Sequence, residues 1–304
     1  MHIFSASKPV NLILSVFLLA SFAALADDSA YRSSVEKWRQ DYEATLKSDG
    51  GWLTICGLFW LHEGENRLGS DPHADVVLPP GSAPLDAGKI TLSAGKVTVR
   101  LIPGVEAYFA GQRVAAGAAI ELVANAPDSQ ITLGGLTLAV HSSGDRLSIR
   151  LRDMNCRLLH EFTSLRWFPW DARYRVTARF TPYNPPKAVE AQNLAGDIVK
   201  LTSPGFVTFK LAGAEYRLEA ALDDPQKPNL IFVFRDLTSR DETYAAARFL
   251  DADPPKGGAV LLDFNKAYNP PCAYNPYTTC PLPPPANRLQ VRIPAGEKKY
   301  LGPH

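Results

Sequence analysis

Hydrophobic and polar residues alternate with a period of two along three segments, residues 96–101, 147–152 and 175–180. That period is typical of strands that bury one face. The continuous apolar run at residues 230–234 is typical of a strand buried on both faces. Gly, Pro, Asn and Asp separate such segments about every 8–12 residues, as in sandwiches and barrels. We therefore predict a mainly β protein.

A helical pattern precedes the strands. Apolar residues recur there at spacings of three and four, and they are Val35, Trp38, Tyr42 and Leu46. Those spacings place them on one face of an N-terminal helix. Ser33 and Glu36 have the spacing of a capping box, which predicts that the helix begins close to Ser33.

Proline dominates the C-terminal part of the chain. Nine of the 25 prolines lie between Pro254 and Pro285. Proline lacks a backbone donor, so this segment is not a central strand. Its aromatic residues, Phe264, Tyr268, Tyr274 and Tyr277, give it apolar surface to bury. We expect an ordered segment that wraps and closes the β-rich region.

The first 26 residues have the pattern of a secretory signal. Lys8 precedes an apolar stretch at residues 10–19, and Ala24-Leu25-Ala26 has the small-x-small form of a cleavage site. The apolar stretch is shorter than the roughly 20 residues that span a bilayer. We expect cleavage after Ala26 and export, most simply to a bacterial periplasm, with no membrane span in the mature chain.

Composition and charge exclude some classes of function. Hydrophobic residues make up 46% of the chain, which is typical of a globular protein. The 32 basic and 31 acidic residues give a net charge of +1. We therefore expect no nucleic-acid partner. The sequence has no phosphate-binding loop, serine-hydrolase elbow or zinc-protease motif, so no cofactor and no metal are expected.

Residues 66–140 resemble a forkhead-associated β-sandwich. The motifs are Arg67-Leu68-Gly69-Ser70, Ala110-Gly111-Gln112-Arg113-Val114 and Leu133-Gly134-Gly135-Leu136. Such modules bind phosphothreonine through an arginine after the first glycine, whereas Ser70 follows Gly69 here. A phosphate needs fixed cations and donors. The resemblance therefore implies a structural sandwich without phosphopeptide recognition.

A longer signature points to a family. It comprises residues 263–274, 280–285, 287–289 and 295–298, with upstream blocks at 51–54, 57–61 and 234–238. Together these resemble domain-of-unknown-function family 1684, found in bacteria and archaea. The resemblance implies a common fold and carries no activity, substrate or cofactor.

These patterns predict four regions. They are a signal peptide at residues 1–26, a helix at 27–50, a forkhead-associated-like sandwich at 51–142 and a β-rich C-terminal domain with a Pro/Cys-rich closing segment at 143–304.

Within the signature, Asp263, Asn265 and Asn269 form the strongest polar cluster. A carboxylate with two amides can hold a sugar, an amide or a hard cation. The alternative is loop architecture, because Asx side chains bond their own backbone at turns.

The cysteines give a second candidate. Cys272 and Cys280 have seven residues between them, and a disulfide there stabilises a fold by roughly 2–3 kcal/mol. A buried or reactive thiol at Cys272 is the alternative. Cys56 and Cys156 lie in apolar or strand contexts, so we expect ordinary buried thiols.

Further polar or aromatic residues of the signature blocks are candidates for ligand contact. They are Asp236, Thr238, Arg248, Tyr268 and Glu297. The alternative for Arg248 is a buried ion pair, with Glu297 as the expected partner.

Two functions remain open. The first is a non-catalytic envelope protein that binds a small molecule or an envelope protein. The alternative is a hydrolase with its site around Asp263, Asn265, Asn269 and Cys272, in which Asp263 is the general base or a cation ligand.

Overall fold

The computed structural model describes residues 11–222 and 227–303, with side chains from residue 28 onward. Of the predicted signal peptide, residues 1–10 lie outside the described residues, and from Asn11 only a helical backbone is described. Helix α1 runs Asn11–Lys47. In the described part of the chain no helix is long and apolar enough to cross a membrane.

The predicted helix is confirmed, but its predicted start is wrong. Val35 and Leu46 are buried. Ser33 lies inside α1, and its hydroxyl donates to the Ser29 carbonyl at 3.0 Å, while Glu36 pairs with Arg32. A capping box satisfies backbone donors that a helix end leaves free. Since the chain before Ser33 is also helical, no such free donors exist there.

Two sheets form a first β unit. Its strands are β1 Ile55–Trp60, β2 Gly64–Gly69, β3 Val76–Val77, β4 Gly88–Ser93, β5 Lys96–Leu101, β6 Tyr108–Phe109, β7 Gln112–Arg113, β8 Ala119–Leu122, β9 Gln130–Leu133, β10 Leu136–Ser143 and β11 Arg146–Asp153. One sheet has the order β1-β11-β10-β9-β6-β7 and the other β3-β2-β4-β5-β8. The resemblance to forkhead-associated modules and the boundary at residue 142 stay predictions, while β11 beyond that boundary pairs with β1 and β10.

Period-2 patterning explains the core of this unit. In β5, Val97, Val99 and Leu101 are buried, and the polar residues between them are more exposed. In β11, Ile149 and Leu151 are buried in the same core. Both sheets therefore bury one face against the other, as alternating strands require.

A second β unit follows helix α2 (Arg157–Glu161). Its strands are β12 Arg175–Gln192, β13 Ile198–Leu211, β14 Ala214–Glu219, β15 Ala221–Leu222, β16 Leu230–Phe234, β17 Arg248–Ala252 and β18 Ala259–Asp263. They form a sheet of order β14-β13-β12-β18 and a sheet of order β15-β16-β17. The mainly β prediction is confirmed.

Phe232 and Phe234 of the apolar run in β16 lie in the core of this unit, together with Phe264. The proline-rich segment supplies β18 as an edge strand of its sheet and forms no regular strand between Phe264 and Pro285, as the missing donors of proline predict. The segment and the residues that follow it form short 3-10 turns at Phe264–Lys266, Pro271–Ala273 and Pro285–Asn287. Asn275 Nδ2 donates to the carbonyls of Trp52 and Ile55, both at 2.8 Å, so the segment also binds the first unit. The predicted ordered wrap is confirmed.

Candidate ligand-binding site

Asp263 and Asn265 of the signature hold helix α1 against the second β unit. The Tyr31 hydroxyl donates to Asp263 Oδ1 at 2.7 Å, and Asn265 Nδ2 donates to the same hydroxyl oxygen at 2.8 Å. Asn265 also bonds both the N–H and the carbonyl of Asp171. Burial, followed by the Asp263 carboxylate, raises the pKa of Tyr31 well above its usual range. Both side chains are therefore occupied by contacts within the chain.

Asn269 belongs to a different group of side chains. Its backbone N–H donates to Glu297 Oε2 and its Nδ2 to Glu297 Oε1, both at 2.8 Å. The Tyr274 hydroxyl also donates to Glu297 Oε1. Asn269, Tyr274 and Glu297 are at most 1% exposed. Burial raises the pKa of the Glu297 carboxyl to about 8, against the opposing effect of these hydrogen bonds.

Arg248 forms the expected buried ion pair, but Asp236 is its partner. The Arg248 Nη1 to Asp236 Oδ1 distance is 3.1 Å, and both side chains are fully buried. The Thr238 hydroxyl and the Ile293 N–H donate to the same carboxylate. Glu297 is not the partner: the charge of Arg248 lowers the pKa of the Glu297 carboxyl without an ion pair between them in the described part of the chain. The geometry is that of a structural pair, because the guanidinium also donates to the carbonyls of Ile293 and Ala295.

Cys272 and Cys280 lie together as thiols. The Cys272 N–H donates to Cys280 Sγ at 3.3 Å. Cys272 also lines a small cavity of about 220 Å³ together with Trp60 and Asn275. The pKa of the Cys272 thiol is raised by its hydrogen bond to Cys280 and by burial. The predicted disulfide stays a prediction, and Cys272 lies in a separate group from Asp263 and Asn269.

One cavity brings Tyr268 together with residues that the sequence did not single out as a site. Its volume is about 320 Å³. It is lined by Tyr42, Thr45, Leu46, Trp52, Asn229, Leu230, Ile231, Phe249, Asp251, Tyr268 and Pro271. Helix α1, the turn at Trp52, strands β16 and β17 and the signature all contribute to it. The aromatic cavity, as we call it, therefore exists only when both ends of the chain are folded together.

The aromatic side chains of this cavity are packed against one another. The ring centroids of Tyr42 and Tyr268 are 4.9 Å apart, and Phe249 meets Tyr268 edge to face at 5.9 Å. The Tyr268 hydroxyl donates to both carboxylate oxygens of Asp251, at 3.1 and 3.0 Å. These contacts fix the orientation of the tyrosine ring. Asp251 is the one charged residue among the described lining residues, so the cavity has a negative rim.

One hydrogen bond connects the aromatic cavity to the group formed by Asn269, Tyr274 and Glu297. The Tyr42 hydroxyl donates to the Asn269 carbonyl at 3.2 Å. Asn269 is in turn hydrogen-bonded to Glu297, so a buried hydrogen-bond network positions Tyr42, one of the residues that line the cavity. Sites supported in this way keep their shape when empty.

Two larger hollows lie elsewhere. One of about 870 Å³ crosses β4 and β5, and one of about 720 Å³ crosses β12 and β13. Their lining includes outward-facing strand residues such as Lys89, which precedes the buried Ile90. No signature residue is among the described residues that line them. Binding sites are usually concave and largely apolar with a few polar groups, which favours the aromatic cavity.

Sequence patterns missed most of this cavity. Tyr42 has the spacing of the apolar face of a helix, and Trp52 lies in the signature block at residues 51–54, so neither residue indicates a cavity by itself. Asp251 is the second-last residue of β17 and has no motif around it. Only the pairing of β16 with β17 and the docking of α1 place these side chains together.

Comparisons with known proteins agree with the signature. Residues 160–298 match the model of a family described as protein of unknown function, DUF1684. Among solved structures, an uncharacterized protein of Haloarcula marismortui determined by solution NMR is 32% identical over 46% of this chain and 78% of that chain, with a TM-score of 0.39. No curated protein matches the chain. The span that matches the family model includes Phe249, Asp251 and Tyr268 but not Tyr42 or Trp52.

Proposed function

The chain belongs to the DUF1684 family, and we propose that it is an exported, non-catalytic protein that binds a small organic cation in the aromatic cavity. The observation that carries the proposal is the composition of that cavity. Four aromatic side chains and one carboxylate line a hollow of about 320 Å³. The export part of the proposal rests on the signal pattern at residues 1–26.

The use of the other polar residues supports binding without catalysis. Asp263 accepts the Tyr31 hydroxyl and the backbone N–H of Asn265. Asp236 is fully engaged by Arg248, Thr238 and a backbone N–H. Such saturated groups hold the chain together and are not directed at a substrate.

The chemistry of the lining favours a cation. Ring faces of Trp and Tyr attract ammonium groups, by about 0.5–2 kcal/mol per interaction. Asp251 adds a formal negative charge at the rim of the cavity. The volume is at the lower end of the roughly 300–1,000 Å³ of small-molecule sites. A quaternary ammonium of the size of choline therefore fits the lining in both volume and charge.

The test compares choline with its uncharged isostere, 3,3-dimethylbutan-1-ol, by calorimetric titration of the purified chain. Both molecules have the same shape, so any difference in affinity reports the charge. We expect choline to bind at least about tenfold more tightly, which corresponds to about 1.4 kcal/mol. Equal affinities, or no heat with choline up to about 10 mM, would refute the proposal.

Variants locate the site. Asp251→Asn is expected to weaken choline binding several-fold and to leave the weak binding of the isostere unchanged. Asp253→Asn is the matched control, because Asp253 is also exposed, lies two residues further along and does not line the cavity. Equal effects of the two substitutions would mean that only the general charge of the surface attracts the cation.

The hydrolase hypothesis is tested separately with Asp263→Asn. A hydrolase that uses Asp263 as its base loses turnover of an envelope substrate while the variant stays folded. If Asp263 only holds helix α1, the variant loses part of its stability, because the Tyr31 hydroxyl then faces an amide instead of a carboxylate.

A further inference from the structure

The four cysteines form two pairs of adjacent thiols. In one pair the Cys272 N–H donates to the Cys280 sulfur, as described above. Cys56 and Cys156 are also neighbours, since Cys156 Sγ contacts the residue before Cys56, although the two cysteines are 100 positions apart in the sequence. Cys56 and Cys156 are thiols, as the sequence predicted, with Cys156 buried and Cys56 partly buried. Strand pairing also brings them together, which the sequence did not indicate.

Two local features bring Cys56 and Cys156 to each other. The register of β1 against β11 shifts between Ile55 and Gly57, so Cys56 lies in a bulge. Cys156 immediately precedes α2 as its N-cap residue, just beyond the end of β11. Cys156 Sγ lies 3.5 Å from the Ile55 carbonyl oxygen. The bulge and the helix start thus direct both sulfurs into the same space.

Each pair combines one partly exposed cysteine with one buried cysteine. Cys56 and Cys272 are partly exposed, whereas Cys156 and Cys280 are buried. A hydrogen bond from Cys56 lowers the pKa of Cys156 to about 7, and the N–H groups at the start of α2 act in the same direction. The pKa of Cys280 is lowered in the same way by its bond from Cys272. The buried member is therefore the more readily ionised one in both pairs.

We propose that both pairs become disulfides when the protein meets a disulfide-carrying oxidant, and that Cys56–Cys156 ties the first strand of the first β unit to helix α2. This proposal is independent of the ligand in the aromatic cavity. The two pairs have the same arrangement, and each disulfide is expected to form without the other.

The reaction is an ordinary thiol–disulfide exchange. The thiol of the partly exposed cysteine, Cys56 or Cys272, loses its proton to solvent, and its sulfur attacks one sulfur of the oxidant. The disulfide of the oxidant breaks, and a mixed disulfide forms. The buried thiolate of the same pair then attacks the protein sulfur of that mixed disulfide. The oxidant leaves as two thiols, so two electrons pass from each cysteine pair to one oxidant disulfide.

Peptide mapping tests the proposal on the wild-type chain. The folded protein is equilibrated with oxidised glutathione, quenched in acid, unfolded, alkylated and digested with trypsin. Cys56 lies in the tryptic peptide 48–67 and Cys156 in 153–157, while Cys272 and Cys280 share the peptide 267–288. We expect peptide 48–67 joined to 153–157, and peptide 267–288 lighter by two hydrogens with no alkyl group.

Other linkages overturn the proposal. They include peptide 48–67 joined to 267–288, glutathione retained on any cysteine, and alkylation of Cys56 or Cys156. A Cys56→Ser variant checks the independence of the pairs. In this variant we expect Cys156 to react with the alkylating agent or with glutathione, while the disulfide within peptide 267–288 still forms. Loss of that disulfide would contradict the independence of the two pairs.

Discussion

The buried carboxyl of Glu297 makes the stability of the fold depend on pH in an unusual direction. Its pKa is raised from 4.5 to about 8 in the folded chain, mainly by burial. The folded state therefore binds the proton more tightly than the unfolded state. By linkage, the contribution of Glu297 is fully present below about pH 4.5 and is lost as the pH rises towards 8.

The size of the effect follows from the difference between the pKa of Glu297 in the folded chain and its ordinary value. About 3.5 pH units separate the two pKa values, and each unit corresponds to about 1.4 kcal/mol. The full loss is thus on the order of 5 kcal/mol. Between pH 5.5 and 8 we expect a decrease of about 3 kcal/mol in the free energy of unfolding, a large part of the stability of an ordinary domain.

The assay is urea unfolding at a series of pH values, for the wild type and for Glu297→Gln. Glutamine has the same shape but does not ionise, so the difference between the two curves isolates Glu297. This control is needed because burial lowers the pKa of His141 to about 4, which makes stability rise with pH between about 4 and 6.5. Parallel curves from pH 5.5 to 8 would refute the reasoning.

Three further predictions follow from single contacts. Arg248→Met is expected to cost about 3–5 kcal/mol in urea unfolding because it leaves Asp236 charged and buried, and adding Asp236→Leu should recover part of that loss. Gly296→Ala should destabilise the fold far more than Gly257→Ala. Both glycines have positive φ, which costs an alanine about 1–2 kcal/mol, but of the two only Gly296 would place an added Cβ against a backbone oxygen, at 2.3 Å. Equal losses of stability in thermal unfolding would contradict this. N-terminal sequencing of the protein recovered from a bacterial periplasm is expected to begin at Asp27, and an intact Met1 would contradict cleavage.

Patterns that repeat within a few residues predicted the fold well. The alternation in 96–101 and the apolar run in 230–234 correspond to strands β5 and β16, because side-chain direction in a strand depends only on neighbours in sequence. The apolar face of α1 followed for the same reason. The capping box at Ser33 failed because a cap also requires that the preceding residues leave the helix.

Contacts between distant segments were harder to predict. The sequence indicated that Arg248 is buried in an ion pair, yet Asp236 and Glu297 are equally plausible partners until β16 pairs with β17. Nothing in the sequence indicated that Cys56 and Cys156 lie together, since they are 100 positions apart. The aromatic cavity has the same origin. Tyr268 was a candidate, but Trp52 and Asp251 become its neighbours only in the folded chain.

The most direct test of the central claim is to detect where a cation sits. Nuclear Overhauser effects between the N-methyl protons of choline and the protein report contacts shorter than about 5 Å, the range of a cation over a ring face. The account predicts contacts to the ring protons of Tyr42, Trp52 and Tyr268, and weaker contacts in Asp251→Asn at the same sub-saturating choline concentration. Contacts confined to other aromatic residues, or no contacts at saturating choline, would contradict it.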